Sequence, residues 1–143
     1  TAVAQELCSQ LYQDNTIRLI VVTDASEGAE VIAYFILEFV IAESDQQRYL
    51  SYGITLDQQT DCRFAPSVAD RYQNVGLGSL VMPRCKEIAY RLGYHRMILM
   101  GGVLQSNEQA VCYYEKSGFR NVGTFREDTP RPCYDMILDD VAS

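Results

Sequence analysis

No apolar run in this 143-residue sequence approaches the roughly 20 residues that a bilayer-spanning helix needs. The longest, Val31 to Ala42, is interrupted by Glu38 and reads as a long strand. No secretory signal pattern opens the chain. Histidine occurs once, as His95, and the five cysteines (Cys8, Cys62, Cys85, Cys112 and Cys133) form no CxxC pair. Zinc-finger and thioredoxin-type chemistry therefore find no support, and no metal site is expected. An odd, scattered set of thiols gives no disulfide framework either, so free, buried cysteines in a reducing cytoplasm are expected. Basic residues are few, 12 against 19 acidic ones, for a net charge of -7 and a pI near 4.6. Nucleic-acid binding wants the opposite balance. The acidic surface suits a cationic or amine substrate, and equally a plain soluble surface.

The length fits one domain with one core, residues 1–143. Its first residue is Thr1 rather than methionine, so a missing N-terminal segment is allowed for upstream. Val3, Leu7 and Leu11 recur at four-residue spacing and predict a short amphipathic helix over 1–13. Ile17 to Thr23 reads as a strand, Ala25 to Gly28 as a turn, and Val31 to Ala42 as the returning antiparallel strand. Tyr49, Leu50, Tyr52 and Ile54 suggest a third strand from Arg48 to Thr55. Cys62 to Val68 is a fourth. Pro66 within it implies a bulge, an irregular end or an edge, because proline cannot donate to a ladder.

From Gly76 onward Leu77, Leu80, Val81, Cys85, Ile88 and Leu92 recur at helical spacing as far as Gly93. Pro83 is expected to kink the first half of that helix. Arg96 to Met100 is nearly all apolar and reads as a central, buried strand, followed by Gly101-Gly102. A helix from Asn107 to Ser117, closed by Gly118, precedes strands at Phe119 to Phe125 and Tyr134 to Leu138. The fold class is α/β (α+β): a mixed, largely antiparallel sheet of about six to seven strands flanked by helices.

The segment Val68 to Gly78 is the most telling. A β-branched lead-in reaches a glycine-spaced turn, and an amphipathic run follows at once. Such a strand delivers its backbone to the start of a helix, whose first amides lack intrahelical partners and carry the positive end of the dipole. Glycines let a ligand approach closely, so the turn suits a phosphate or pyrophosphate. It is not GxGxxG, since Val81 stands where the third glycine belongs, and no GK[ST] follows. A second cluster lies downstream: Asn107, Ala110 and the run Tyr114-Glu115-Lys116-Ser117-Gly118-Phe119.

Together the two clusters resemble the GCN5-related N-acetyltransferase (GNAT) superfamily. Its core segment, approximately V-x-P-x-[YF]-[RQ]-x-x-G-[IL]-G, is matched by Val68, Tyr72, Gln73, Gly76, Leu77 and Gly78. Its later segment, N-x-x-A-x-x-x-Y-E-K-x-G-F, is matched by Asn107, Ala110, Tyr114, Glu115, Lys116, Gly118 and Phe119. An interval of 29 positions from Gly78 to Asn107 leaves room for one helix and one strand, and the resemblance covers about Cys62 to Leu138. Two departures stand out. Asp70 replaces the usual proline, and Asn74-Val75 replaces a glycine–basic pair, so Arg71 is the nearest cation.

The resemblance implies an enzyme that moves an acetyl group from acetyl-CoA to a primary amine by direct attack in a ternary complex. Val68 and Ala69 would pair with the pantetheine amides, and one of their amides would stabilise the oxyanion. Gln73, Asn74, Val75, Gly76, Leu77, Gly78 and Ser79 would wrap the pyrophosphate. Asn107 would hydrogen-bond near the pantetheine, where two parallel strands splay. Tyr114 would protonate the departing thiolate, a role that suits a phenol of pKa about 10. The general base is open between Glu38, Asp61 and ordered water. The acceptor is unspecified, and a homodimer is the form considered if a partner must complete its pocket. The alternative is a non-catalytic acyl-CoA-binding or regulatory module of the same fold.

Overall fold

A computed structural model describes residues 15–24, 28–126 and 130–143. The helix expected over 1–13 and the turn residues 25–27 lie outside them. The described elements, in order, are β1 (Thr16–Val22), β2 (Val31–Glu38), α1 (Glu43–Ser51), β3 (Asp61–Val68), a short 3-10 turn (Asp70–Tyr72) and α2 (Leu77–Arg91). They continue with β4 (Arg96–Leu99), β5 (Val103–Leu104), α3 (Glu108–Lys116), β6 (Arg120–Phe125) and β7 (Cys133–Leu138). The seven strands form one mixed sheet in the order β1-β2-β3-β4-β7-β5, with β6 also paired to β7. Every pairing is antiparallel except β3 with β4.

Alternation along the strands sets the two faces. Phe35 and Leu37 of β2, Cys62 and Phe64 of β3, Met97 and Leu99 of β4, and Met136 and Leu138 of β7 share one face, the main core. Met82, Cys85 and Ala89 of α2 and Tyr114 of α3 cover it. Ile98 and Ile137 occupy the other face, beneath Tyr49 of α1. No helix among the described residues is long and apolar enough to cross a membrane.

The expected third strand from Arg48 to Thr55 is instead the end of α1 and the turn that follows it. Ile41, Asp45 and Tyr49 are the buried positions, a four-residue spacing that belongs to a helix rather than to a two-residue alternation. The tyrosine hydroxyl of Tyr49 donates to the Met136 carbonyl at 3.1 Å. Glu43 and Asp45 sit in the first turn and Arg48 in the last, as the helix dipole favours. Arg48 then bonds Asp135 at 2.8 and 3.1 Å and Asp45 at 2.7 Å, which ties α1 to β7. Strand β2 stops at Glu38, short of the expected Ala42, because the chain must leave the sheet to enter α1.

What positions the site is the parting of β3 from β4. The two pair from Asp61 against Arg96 to Phe64 against Leu99, and a last bond runs from the Met100 amide to the Phe64 carbonyl at 2.9 Å. Beyond it β3 continues to Val68 along β2 alone. On the other side, residues 99–102 face only residues 135–136 of β7 between the β4 and β5 registers. The extra residues form a bulge at Gly101 and Gly102, both with positive φ (71° and 64°). A Cβ on Gly102 would lie 2.5 Å from the Tyr134 carbonyl oxygen and 2.7 Å from the Phe125 ring. Only glycine fits there. Pro66 lies in the unaccompanied half of β3, so the N–H it lacks has no strand partner to miss.

Candidate active site

The splayed strands open into a cleft of about 730 Å³. One wall is Phe35, Pro66 and Val68, the opposite wall is Gly102 to Leu104, and α3 closes the side with residues from Asn107 to Lys116. The loop from Gln73 to the first turn of α2 forms the floor. Of the residues singled out from sequence, Val68, Gln73, Asn74, Gly76, Leu77, Gly78, Ser79, Asn107 and Tyr114 line this one cleft. Ala69 and Val75 do not.

Backbone alternation explains the difference between Val68 and Ala69. The Ala69 amide donates to the Ile32 carbonyl at 2.8 Å, and its carbonyl accepts from the Tyr72 amide at 2.8 Å. Ile32 and Ala69 are thus a hydrogen-bonded pair, so the backbone groups of Val68, in the next position, point away from β2 and into the cleft. Ala69 is spent on the fold. Val68 keeps its amide on the open edge, and its carbonyl accepts from the Gln73 side-chain amide at 3.1 Å. Gln73 also donates to Asp70 Oδ1 at 3.2 Å, so its side chain braces the loop.

The loop then turns through two left-handed residues, Asn74 (φ 64°) and Gly76 (φ 82°). Asparagine tolerates this region better than other side chains, and glycine enters it without cost. Helix α2 starts at Leu77 with no side-chain cap, and its first backbone bond is Leu80 to Gly76 at 3.0 Å. The amides of Leu77, Gly78 and Ser79 therefore precede the helical ladder at the positive end of the dipole. Successive amides of this kind make an anion-holding concavity. Val75 points outward, two-thirds exposed. Arg71 is outside the lining, ion-paired to Glu30 and lying over the Tyr72 ring at 5.1 Å.

Gly78 is fixed by a residue that sequence reasoning passed over. The Tyr113 hydroxyl donates to the Gly78 carbonyl at 3.0 Å, and a Cβ on Gly78 would sit 2.9 Å from the Tyr113 ring. Burial pushes the Tyr113 phenol up to about 12. No local pattern marks Tyr113, because its complement lies 35 positions away. Leu104 and Gln109 are further lining residues that no motif contains.

Tyr114 stands at the inner end of the cleft, 7% exposed, tilted against Tyr113 (5.3 Å) and edge-on to Phe119 (5.6 Å). Its hydroxyl makes no hydrogen bond among the described residues. Burial raises its pKa well above the ordinary phenol value. Asn107 caps α3, its side-chain oxygen accepting from the Ala110 amide at 3.1 Å. Asn107 also lines the cleft, and its carboxamide N–H groups make no hydrogen bond among the described residues.

Neither candidate carboxylate reaches this region. Asp61 begins β3 and Val68 ends it, a separation of about 23 Å at the usual rise per residue. Asp61 is fully buried and grips Arg96 at 2.5 and 2.8 Å. Glu38 is ion-paired with Arg63 beside the same end of the strand.

A family model described as Acetyltransferase (GNAT) family matches residues 5–119. The chain belongs to the GNAT acetyltransferase family. No curated protein matches its sequence. Among solved structures it is similar to the spermidine N-acetyltransferase from Vibrio cholerae in complex with CoA and spermine. That likeness has a TM-score of 0.68 and 17% identity over 99% of this chain and 76% of that one. It is also similar to a GNAT-family acetyltransferase from Streptococcus pneumoniae (TM-score 0.64, 22% identity, 93% and 71% covered). A third likeness is the GNAT domain of S. lividans PAT (TM-score 0.66, 18% identity, 95% and 68% covered). These structures share the GNAT fold of this sheet, as expected from sequence.

Proposed function

We propose that this GNAT domain transfers an acetyl group from acetyl-CoA to a primary amine by direct attack in a ternary complex. The observation that carries the reading is one of assembly. Val68 with the glycine turn, and Asn107 with Tyr114, come from two separate stretches of the chain and line a single cleft. The uncapped α2 N-terminus with its two left-handed residues fits a pyrophosphate, and the open edge of Val68 fits an extended chain of amides.

In this reading the neutral amine attacks the thioester carbonyl carbon, and the carbon–sulfur bond breaks as the new amide forms. The Val68 amide, the one left free on the β3 edge, stabilises the developing oxyanion. Tyr114 hydrogen-bonds the sulfur as negative charge grows there and supplies its proton. The raised pKa of Tyr114 keeps that proton in place at neutral pH. The same burial makes a thiolate beside it more basic, so donor and acceptor stay matched. No carboxylate lines the cleft among the described residues, so in this reading the amine's own proton leaves to ordered water.

The V. cholerae relative is a spermidine N-acetyltransferase, which makes a polyamine the first acceptor to try. Peptide N-termini and amino acids are the others. Release of free thiol from acetyl-CoA, followed across that panel, is the test. Amine-dependent release supports transfer. Binding of acetyl-CoA without release for any amine favours the acyl-CoA-binding module instead.

A further inference from the structure

The cleft wall formed by Gly102 to Leu104 is backed from the opposite face of the sheet. Strand register puts Gly123, Phe125, Cys133 and Asp135 on that face together with Ile137, which packs with Tyr49 of α1. Strands β5 and β6 flank β7 on its two sides, since Tyr134 pairs with Val103 on one and Thr124 on the other. The Phe125 ring nevertheless reaches Gly102, lying 2.7 Å from where a Cβ on that glycine would stand. It therefore crosses β7 and rests against the bulge from behind.

The ring is itself held. The guanidinium carbon of Arg48 lies 4.0 Å from the Phe125 ring centroid, a stacking distance. The same group donates through Nε and Nη2 to both oxygens of Asp135, at 2.8 and 3.1 Å, and through Nη2 to Asp45 at 2.7 Å. Asp135 is fully buried, takes a further bond from the Tyr52 hydroxyl at 2.9 Å, and belongs to the stretch of β7 that faces the bulge. The carboxylates thus fix the orientation of the guanidinium while its flat face covers the ring. A planar, delocalised cation does both at once, and a lysine ammonium cannot.

We propose that Arg48 is a positioning residue for the acetyl-CoA cleft: through Phe125 it braces the Gly101–Gly102 bulge and so fixes the wall from Gly102 to Leu104. Arg48 itself lies outside the cleft lining and acts only through the ring. The assignment rests on the acetyl-CoA reading above. It makes α1, on the far face of the sheet, a determinant of cofactor affinity.

Calorimetric titration with acetyl-CoA and thermal unfolding of the wild type, Arg48→Lys, Phe125→Leu, their double variant and Asp45→Asn test it. Arg48→Lys and Phe125→Leu should each weaken acetyl-CoA binding by about fivefold. The double variant should lose no more than the worse single one, because both cut one path. Asp45→Asn removes a charge that Arg48 bonds but that lies off that path, so it should lower the thermal midpoint and leave affinity unchanged. Wild-type affinity in folded Phe125→Leu would overturn the proposal, and Arg48→Lys carries the same test if Phe125→Leu does not fold. Losses that multiply in the double variant, or an equal loss in Asp45→Asn, would make the network merely structural and overturn it too. Hydrogen exchange over residues 101–104 needs no ligand: it should quicken in Phe125→Leu and Arg48→Lys and keep the wild-type rate in Asp45→Asn. If the wild type binds no acetyl-CoA, the cofactor reading falls and exchange alone decides the brace, which unchanged exchange in both ring-path variants would refute.

Discussion

At the scale of residues, the proposed chemistry rests on Tyr114. It is buried by Tyr113 and Phe119, keeps an unengaged hydroxyl among the described residues, and holds its proton more tightly than a phenol in water. Removing that hydroxyl changes little packing, so Tyr114→Phe should bind acetyl-CoA as the wild type does. Its turnover should fall by about a hundredfold or more, the usual contribution of a positioned acid. Parallel titration and steady-state rates check this, and an unchanged turnover number would remove Tyr114 from the chemistry. The residue Ala69 teaches the converse. Its neighbour Val68 lies on the cleft edge, but register places the Ala69 amide on β2. One position of strand alternation separates a residue that serves the site from one that serves the sheet.

Elements come next, and here the splay of β3 from β4 does most to create the cleft. It depends on the bulge after β4, where Gly102 is squeezed between the Tyr134 carbonyl and the Phe125 ring at positive φ. Gly102→Ala should therefore destabilise the fold by about 2 kcal/mol, through backbone strain and the clash together. Urea unfolding measures this, and a shift below a few tenths would show that the bulge relaxes freely. The glycine turn and the α3 motif were legible in sequence because their spacing is local: Asn74, Gly76, Leu77 and Gly78 make their own corner. Helix α1 was not. Its apolar residues Tyr49, Leu50, Tyr52 and Ile54 mix both periods, and the ionic partners Arg48 and Asp135 that seat it lie 87 positions apart. Nor was Tyr113, whose role exists only through contact with Gly78. Strand β5, two residues long and preceded by paired glycines, carries no periodic signal at all.

The whole molecule adds a pH signature. Burial pushes Cys85 up to about 11, and Cys62, Tyr52 and Tyr113 up to about 12. For each of these the folded state holds the proton more tightly than the unfolded chain does. Their contribution to stability is complete below the unfolded thiol value of about 8.5 and is lost as pH rises through 11 to 12. The thermal midpoint should stay level from neutrality to about pH 8.5 and then fall steadily; a flat profile to pH 11 would contradict the burial of these groups. The four cysteines among the described residues are free, Cys112 being exposed at the cleft, so reductant belongs in that experiment.

The central claim is that one cleft, built from the β3 edge, the glycine turn and α3, receives acetyl-CoA. Calorimetric titration of the wild-type protein with acetyl-CoA tests it most directly. The account predicts saturable binding at one site per chain. Absence of any heat of binding at high micromolar acetyl-CoA would contradict it.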